Sequence, residues 1–423
     1  MKEQIDYIHA HEILDSRGNP TVNVTVVLKN GTHGSASVPS GASTGIHEAL
    51  ELRDNDPHRY GGKSVLGAVK NVNTKIFQTI RGMDVMDLQR IDDSMRILDG
   101  TVNKHRLGAN AILGVSMACA HAGARRRKIP LYRHLRELYG FDFPTYKLPT
   151  PLMNVFNGGR HASTNLDMQE FIIIPHGFTR YSRKLRAGVE IYHSLGEILR
   201  KDRLDTDLGD EGGYAPNVGK TEDALEYLKK AVIKSKYKLG KQVGFGIDVA
   251  ASEFYDPKKD RYVLKTDRRK LKANEMIELY SGWTKKYPLM SVEDGLDQDA
   301  WDDWKLMTKE LGSKMMLIGD DLFVTNPERI ERGIKEKVAN AVLIKVNQIG
   351  TISETMQAIA LSQKNRYKVV ISHRSGETAD TTIADLAVAV NAQYIKTGAP
   401  SRSERLVKYN RLLEIEEELT IQK

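Results

Sequence analysis

The first third of the chain reads as strands followed by helices. Residues 5–39 alternate apolar and polar positions, with PTVNVTVVLKNG (20–31) one strand ending in a turn and THGSASVP (32–39) its partner. SGASTG (40–45) is too rich in Gly and Ser for either regular element and reads as a loop. From about 64 to 128 the period becomes helical. LGANAILGVSMACAHAGARRRK (107–128) is a run of small apolar residues with cations at its end, where they complement the helix dipole. The Pro-rich FDFPTYKLPTPLMN (141–154) interrupts the pattern. It marks the expected boundary between an α+β domain of residues 1–145 and a second domain of residues 146–423.

Beyond it the rhythm changes. Short apolar runs recur, most ending in polar or charged residues: FIIIP (171–175), LGDEGG (208–213), FGIDVAASEF (245–254), LMSVEDG (289–295), MMLIGDD (315–321), AVLIKVNQ (341–348), VVISHRSGE (369–377) and AQYIKTGAP (392–400). Helical stretches such as TEDALEYLKKAVIKS (221–235) and DDWKLMTKELG (302–312) lie between them. The intervals from Asp320 to Lys345, His373 and Lys396 are 25, 28 and 23 residues, the length of one strand-plus-helix unit. Parallel strands need such crossovers, and about eight of them close a barrel of roughly 250 residues with functional groups at the carboxyl ends of the strands. The expected fold class is therefore α/β, a TIM-like (β/α)8 barrel preceded by an α+β domain.

The strand ends carry the chemistry. Asp248, Glu293 and Asp320 each follow apolar residues on separate expected strands. One such acid reads equally as a helix cap or the partner of a surface lysine. Three at matched strand ends would meet, repel and raise one another's pKa values, a conflict that a hard cation such as Mg2+ resolves. Lys345 in LIKVN and Lys396 in YIKTG are flanked by strand residues and should face a polar cavity, since lysine is rarely buried without a partner. A lysine working as a base near neutral pH needs its pKa lowered from about 10.4 to about 7–8, so a lowered value is expected here. The alternative is a pair of structural salt-bridge lysines. SHRSGE (372–377) gathers His373, Arg374 and Ser375 in one loop suited to phosphate or carboxylate. GDEGG (209–213) lets the backbone turn sharply around Glu211, and NGGRHA (157–162) sets His161 before the strand holding Gln169 and Glu170. Singly, each of these loops is unremarkable. Together the groups suit removal of a carbon-bound proton beside a carboxylate by a lysine, metal stabilisation of the dianion, and protonation of a leaving hydroxyl by an acid on the other face.

Composition narrows the class without naming it. Of 423 residues, 40% are hydrophobic, enough for a sizeable core and too many for wholesale disorder. No apolar run approaches the roughly 18 residues needed to span a bilayer, so no membrane partner is expected. The opening MKEQIDYIHAHEILDS lacks an apolar leader, and the single Cys119 cannot form an internal disulfide, which together make the cytoplasm the expected location. The formal charge of +8 permits attraction to anions.

The chain resembles the enolase family over almost its whole length. The resemblance is carried by DSRGNPTV (15–22), VPSGASTGIHEALELRD (38–54), LGANAILGVS (107–116), MNVFNGG (153–159), MQEF (168–171), GDEGGYAPN (209–217), SVEDG (291–295), GDDLFVTNP (319–327), LIKVNQIGT (343–351), SHRSGET (372–378) and IKTGAPSRSER (395–405), in the family's order. It implies the Mg2+-dependent, reversible dehydration of 2-phosphoglycerate to phosphoenolpyruvate in glycolysis and gluconeogenesis. A Lys base beside Mg2+ is the known arrangement of this superfamily. Carried over by residue, Lys345 is the implied base and Glu211 the group assisting the leaving hydroxyl. Asp248, Glu293 and Asp320 would hold the first of two Mg2+ ions, and Ser43 in the closing loop 40–45 would complete the second site when substrate binds. Arg374 and Ser375 would bind phosphate, Lys396 the carboxylate, and His161, Gln169, Glu170 and His373 would complete the pocket. The resemblance also implies a barrel that departs from strict alternation near its start and assembly as a homodimer or higher homo-oligomer. Two features depart from the family: Arg160 with Ser163 and Thr164 beside His161, where a bulky cation could alter loop closure or substrate affinity, and the net positive charge. RYSRKLR (180–186) and RRRK (125–128) read as solvated helix faces, with nucleic-acid binding, or a lysine-binding partner at Lys423, as the alternative.

Overall fold

The computed structural model describes residues 3–41 and 45–421. The first domain is built on an antiparallel meander of β1 (Ile5–Leu14), β2 (Pro20–Leu28) and β3 (His33–Ser37). The turn between β1 and β2 is DSRGN, in which Asp15 Oδ1 accepts the backbone N–H groups of Arg17 and Asn19 and Gly18 takes a φ of 71°. Along β2, Val22, Val24, Val26 and Leu28 are buried. Each fully buried side chain of this kind stabilises the fold by about 1.5–3 kcal/mol. They pack under the helix Ala109–Arg126, whose small residues let it lie close to the sheet. A Cβ at Gly34 of β3 would stand 2.2 Å from the backbone nitrogen of Ala122 in that helix.

The remaining strands are β4 (Thr150–Asn157), β5 (Glu170–Ile174), β6 (Gly244–Asp248), the short β7 (Tyr255–Asp256), β8 (Arg261–Leu264) and β9 (Arg269–Leu271), then β10 (Leu289–Glu293), β11 (Met316–Gly319), β12 (Ala341–Ile344), β13 (Lys368–Ser372) and β14 (Tyr394–Lys396). Eight of them close a barrel in the order β10-β11-β12-β13-β14-β4-β5-β6, while β7–β9 form a separate antiparallel sheet. All neighbouring barrel strands run parallel except β5, which is antiparallel to both β4 and β6. Leu152, Ile172, Ile174, Met316, Ile318, Ala341, Leu343 and Val370 pack together as the barrel's interior cluster, and the residues alternating with them, such as Leu317, Val342, Ile344 and Ile371, join the larger core with the helices. A strand buried on both faces has no polar face, which is why these segments read as unbroken apolar runs.

Two sequence expectations change. LGDEGG (208–213) is not a strand but a turn-rich loop, tied back by Gly209 N–H to Gly213 O at 2.9 Å and Gly212 N–H to Gly209 O at 3.0 Å. The eighth barrel strand is instead β4, which begins within the Pro-rich stretch read as a boundary. Pro151 is tolerated there because it sits at the strand's start, paired with Ile395 of β14. The basic segments also differ from plain solvated faces. Arg126 pairs with Glu3 at 2.7 Å, and Lys184 is buried with its ammonium donating to Thr150 Oγ1 at 2.8 Å.

Candidate active site

Side-chain parity decides what reaches the barrel mouth. On β12, Ala341 and Leu343 point inward while Val342 and Ile344 point to the helices, so Lys345, the next residue, returns to the inside. On β11 the same count from Met316 and Ile318 sends Asp320 inward. On β14, Lys396 shares the face of Tyr394, away from Ile395. β5 runs backwards, so its first residue, Glu170, stands at the mouth opposite Asp248, its register partner on β6. Asp248 is in turn level with Glu293 of β10. In the ring of eight, β12 and β5 are four places apart, which sets Lys345 and Glu170 on opposite walls. One small cavity is lined by His161, Gln169, Glu170, Glu211, Asp248, Lys345, Ser372, His373, Arg374, Ser375 and Lys396.

Lys396 is the hub of the acidic side. Its Nζ lies 2.8 Å from Glu293 Oε1, 2.9 Å from Asp248 Oδ2 and 3.0 Å from Glu170 Oε2. Burial alone would drive its proton off, and the surrounding carboxylates more than reverse this, holding the amine well above the usual lysine range. Lys345 forms an ion pair with Asp320 Oδ2, whose Oδ1 accepts a hydrogen bond from Gln348 Nε2 at 2.9 Å. The expected lowering of its pKa is not found. Burial, Arg374 and Lys396 pull the amine down, but Asp320 outweighs them and leaves it above the ordinary lysine value. The nearest neighbour of the amine is a carboxylate rather than a second ammonium.

The other wall is an acid–base cluster. Glu211 Oε2 accepts a hydrogen bond from Asn154 Nδ2 at 2.8 Å and lies 3.4 Å from His373 Nε2, while Glu211 Oε1 is 3.5 Å from His161 Nδ1. His161 Nδ1 is also 3.4 Å from Glu170 Oε1. Burial pushes both glutamates up. Glu170, also facing the Glu211 charge, ends well above the carboxylate range, whereas His161, His373 and Arg405 hold Glu211 well below it. Burial lowers both imidazoles, His373 to about 4.

Arg374 is buried and clamped by Glu48, with Nη1 donating to Oε2 at 2.8 Å and Nη2 to Oε1 at 3.3 Å, and Nη1 also reaches Asn347 Oδ1 at 3.0 Å. Ser375 lines the cavity beside it. Ser43, expected to serve a second metal ion, and Lys423 lie outside the described residues. Arg160 pairs with Glu253 at 2.6 Å, is more than half exposed and is not among the residues lining the small cavity that holds Lys345 and Lys396.

The residues fit a divalent cation. Glu293 Oε2 and Gln169 Oε1 are buried oxygens without a hydrogen-bond partner, and Glu293 is pushed well above the usual carboxylate pKa by burial and by Asp248. Hard oxygen donors crowded in this way are what Mg2+ seeks. Among the described residues, two sets bring ligand atoms within 4.8 Å of one another: His161, Glu170 and Glu211, and Asp294, Asp320 and Asp321. Asp248, Glu293 and Asp320 are not one of these sets; ammonium groups of Lys396 and Lys345 stand against them instead. Sequence reading assigned no role to Asn154, Glu48, Asn347, Gln348 or Arg405, all of which orient site groups. Glu48, Asn347, Gln348 and Arg405 fall within the matched segments and Asn154 lies in MNVFNGG, so position was available but their partners were not.

A family model described as "Enolase, N-terminal domain" matches residues 5–135, and one described as "Enolase, C-terminal TIM barrel domain" matches residues 145–423.

Proposed function

The chain belongs to the enolase family, and from that premise we propose that it is a hydro-lyase interconverting 2-phosphoglycerate and phosphoenolpyruvate, working as a homodimer or higher homo-oligomer. The observation that carries this reading is the placing of Lys345 on one wall of a buried mouth and the neighbouring carboxyl groups of Glu170 and Glu211 on the opposite wall, with Arg374 and Ser375 lining the same cavity. Lys345 Nζ takes the proton from the carbon beside the substrate carboxylate. Glu211, with Glu170 beside it, assists the departing hydroxyl by returning a proton, and the buried His373 and His161 close that side against water. Arg374 with Ser375 anchors the phosphate, and Lys396 the carboxylate. Asp248, Glu293 and Asp320 would hold Mg2+, which when bound neutralises the growing dianion and offsets the Asp320 charge that otherwise keeps the Lys345 proton on.

Phosphoenolpyruvate absorbance should appear from 2-phosphoglycerate only with Mg2+ and vanish with chelator. Lys345→Ala should lower turnover by about 10³-fold or more, the scale of a lost acid–base group. Full activity in that variant would remove Lys345 as the base.

A further inference from the structure

Arg405 stands two residues into the helix Ser403–Ile421 and is completely buried, yet among the described residues no carboxylate accepts a hydrogen bond from it, the nearest ion-pair partner being Glu404 Oε1 at 3.6 Å from Nε. Its guanidinium instead serves the two loops that carry Glu211 and His373. Nη1 lies 2.7 Å from His373 Nδ1 and donates to Arg374 O at 2.6 Å, while Nη2 donates to Ser375 O at 2.6 Å and to Asp210 O at 3.2 Å. Its stem passes where a Cβ on Gly398 would stand, 2.9 Å from Arg405 Cδ, and Gly398 has a φ of +81°. Both features reserve that position for glycine.

A guanidinium can only donate and is never neutral in a protein. The nitrogen facing it must therefore be an acceptor, which leaves the His373 proton on Nε2, aimed at Glu211 Oε2 at 3.4 Å. We propose that Arg405 is a positioning residue that fixes His373 as the neutral Nε2–H tautomer, so that the imidazole donates to Glu211 throughout the reaction and cannot take up a second proton without losing the arginine. The same guanidinium ties the backbone before Glu211 to the backbone at Arg374 and Ser375, so tautomer and loop spacing are set by one group. The charged and titratable groups facing His373 are Glu211, Glu377 and Arg405 itself. This inference rests on the proposed reaction for its effect on turnover, but the tautomer does not.

The test is imidazole 15N NMR on the full chain, with His373 assigned by difference against His373→Asn. The wild-type signal should be that of Nε2–H and stay unchanged from pH 5 to 8. A wild-type Nδ1–H signal, or titration in that range, overturns the proposal without any arginine variant. Arg405→Met should show a mixed or titrating His373 and a kcat lower by about 10²-fold or more with KM moved far less, because a misdirected imidazole costs turnover rather than binding. Arg405→Lys, which keeps one donor, should recover part of both. An unchanged His373 signal in a folded variant sinks the idea; should Arg405→Met fail to fold, the lysine variant and the wild-type spectrum still decide. Absent 2-phosphoglycerate turnover in wild type would defeat the proposed reaction and leave the tautomer result standing.

Discussion

Without the Lys396 ammonium, Glu170, Asp248 and Glu293 would lie buried together with no cation among them. Breaking a buried pair in this way costs about 3–5 kcal/mol, since the charges left behind keep their desolvation penalty. Lys396→Met should therefore lower the urea midpoint strongly in chelator, and added Mg2+ should restore more stability to the variant than to wild type. Equal Mg2+ effects on the two would show that these carboxylates do not bind the ion. At this scale residue identity and strand-end position were legible in the chain itself, because a charged residue directly after an apolar run must leave the core. Partners were not legible there. The sign of the Lys345 shift follows from Asp320 being its nearest neighbour, a fact of three dimensions.

Between elements, the helix Leu88–Asp99 meets the start of the helix Ile352–Lys364 through Asp92, whose Oδ2 accepts from the Ser353 N–H at 3.0 Å and the Ser353 hydroxyl at 2.6 Å. Burial outweighs those bonds and raises Asp92 from 3.8 to about 7. The folded state then holds a proton in that interval that the unfolded chain has released, so stability falls as pH rises from about 4 to about 7. Asp92→Asn should flatten this slope between pH 5 and 8, a difference on the order of 2–4 kcal/mol readable from urea midpoints. Parallel slopes would place the proton elsewhere. Element type followed the periodicity wherever a strand was apolar on both faces. It failed at β4, where Pro and Thr disguise the strand, and at 208–213, where Leu208 begins an apolar-looking run that glycines turn into a loop. The reversal of β5 has no local signal, because register and direction are settled by its neighbours.

Across the whole molecule, the first domain finishes the mouth of the second. Ser40 and Gly376 exchange backbone hydrogen bonds at 2.7 and 2.9 Å, the Ser40 hydroxyl donates to Asp15 Oδ2 at 2.6 Å, and Ser16 N–H donates to Glu377 O at 2.7 Å. A Cβ on Gly376 would fall 2.4 Å from Ser40 Oγ and 2.5 Å from Asp15 Oδ2. Gly376→Ala should therefore push the domains apart at this seam and lower kcat/KM by about 10-fold or more, an ångström-scale misplacement of the loop carrying Arg374, while circular dichroism stays native. Unimpaired turnover would mean the seam tolerates a methyl group and does not set the site. No helix among the described residues is long and apolar enough to cross a membrane. What the sequence by itself determined was the barrel rhythm, the candidate polar residues at the strand ends and the family, since periodicity and short motifs are local properties of the chain. Only the tertiary structure decided which strand runs backwards, which carboxylate each lysine meets, and that DSRGN of the first domain braces the loop of Arg374, because those outcomes depend on contacts between residues hundreds of positions apart.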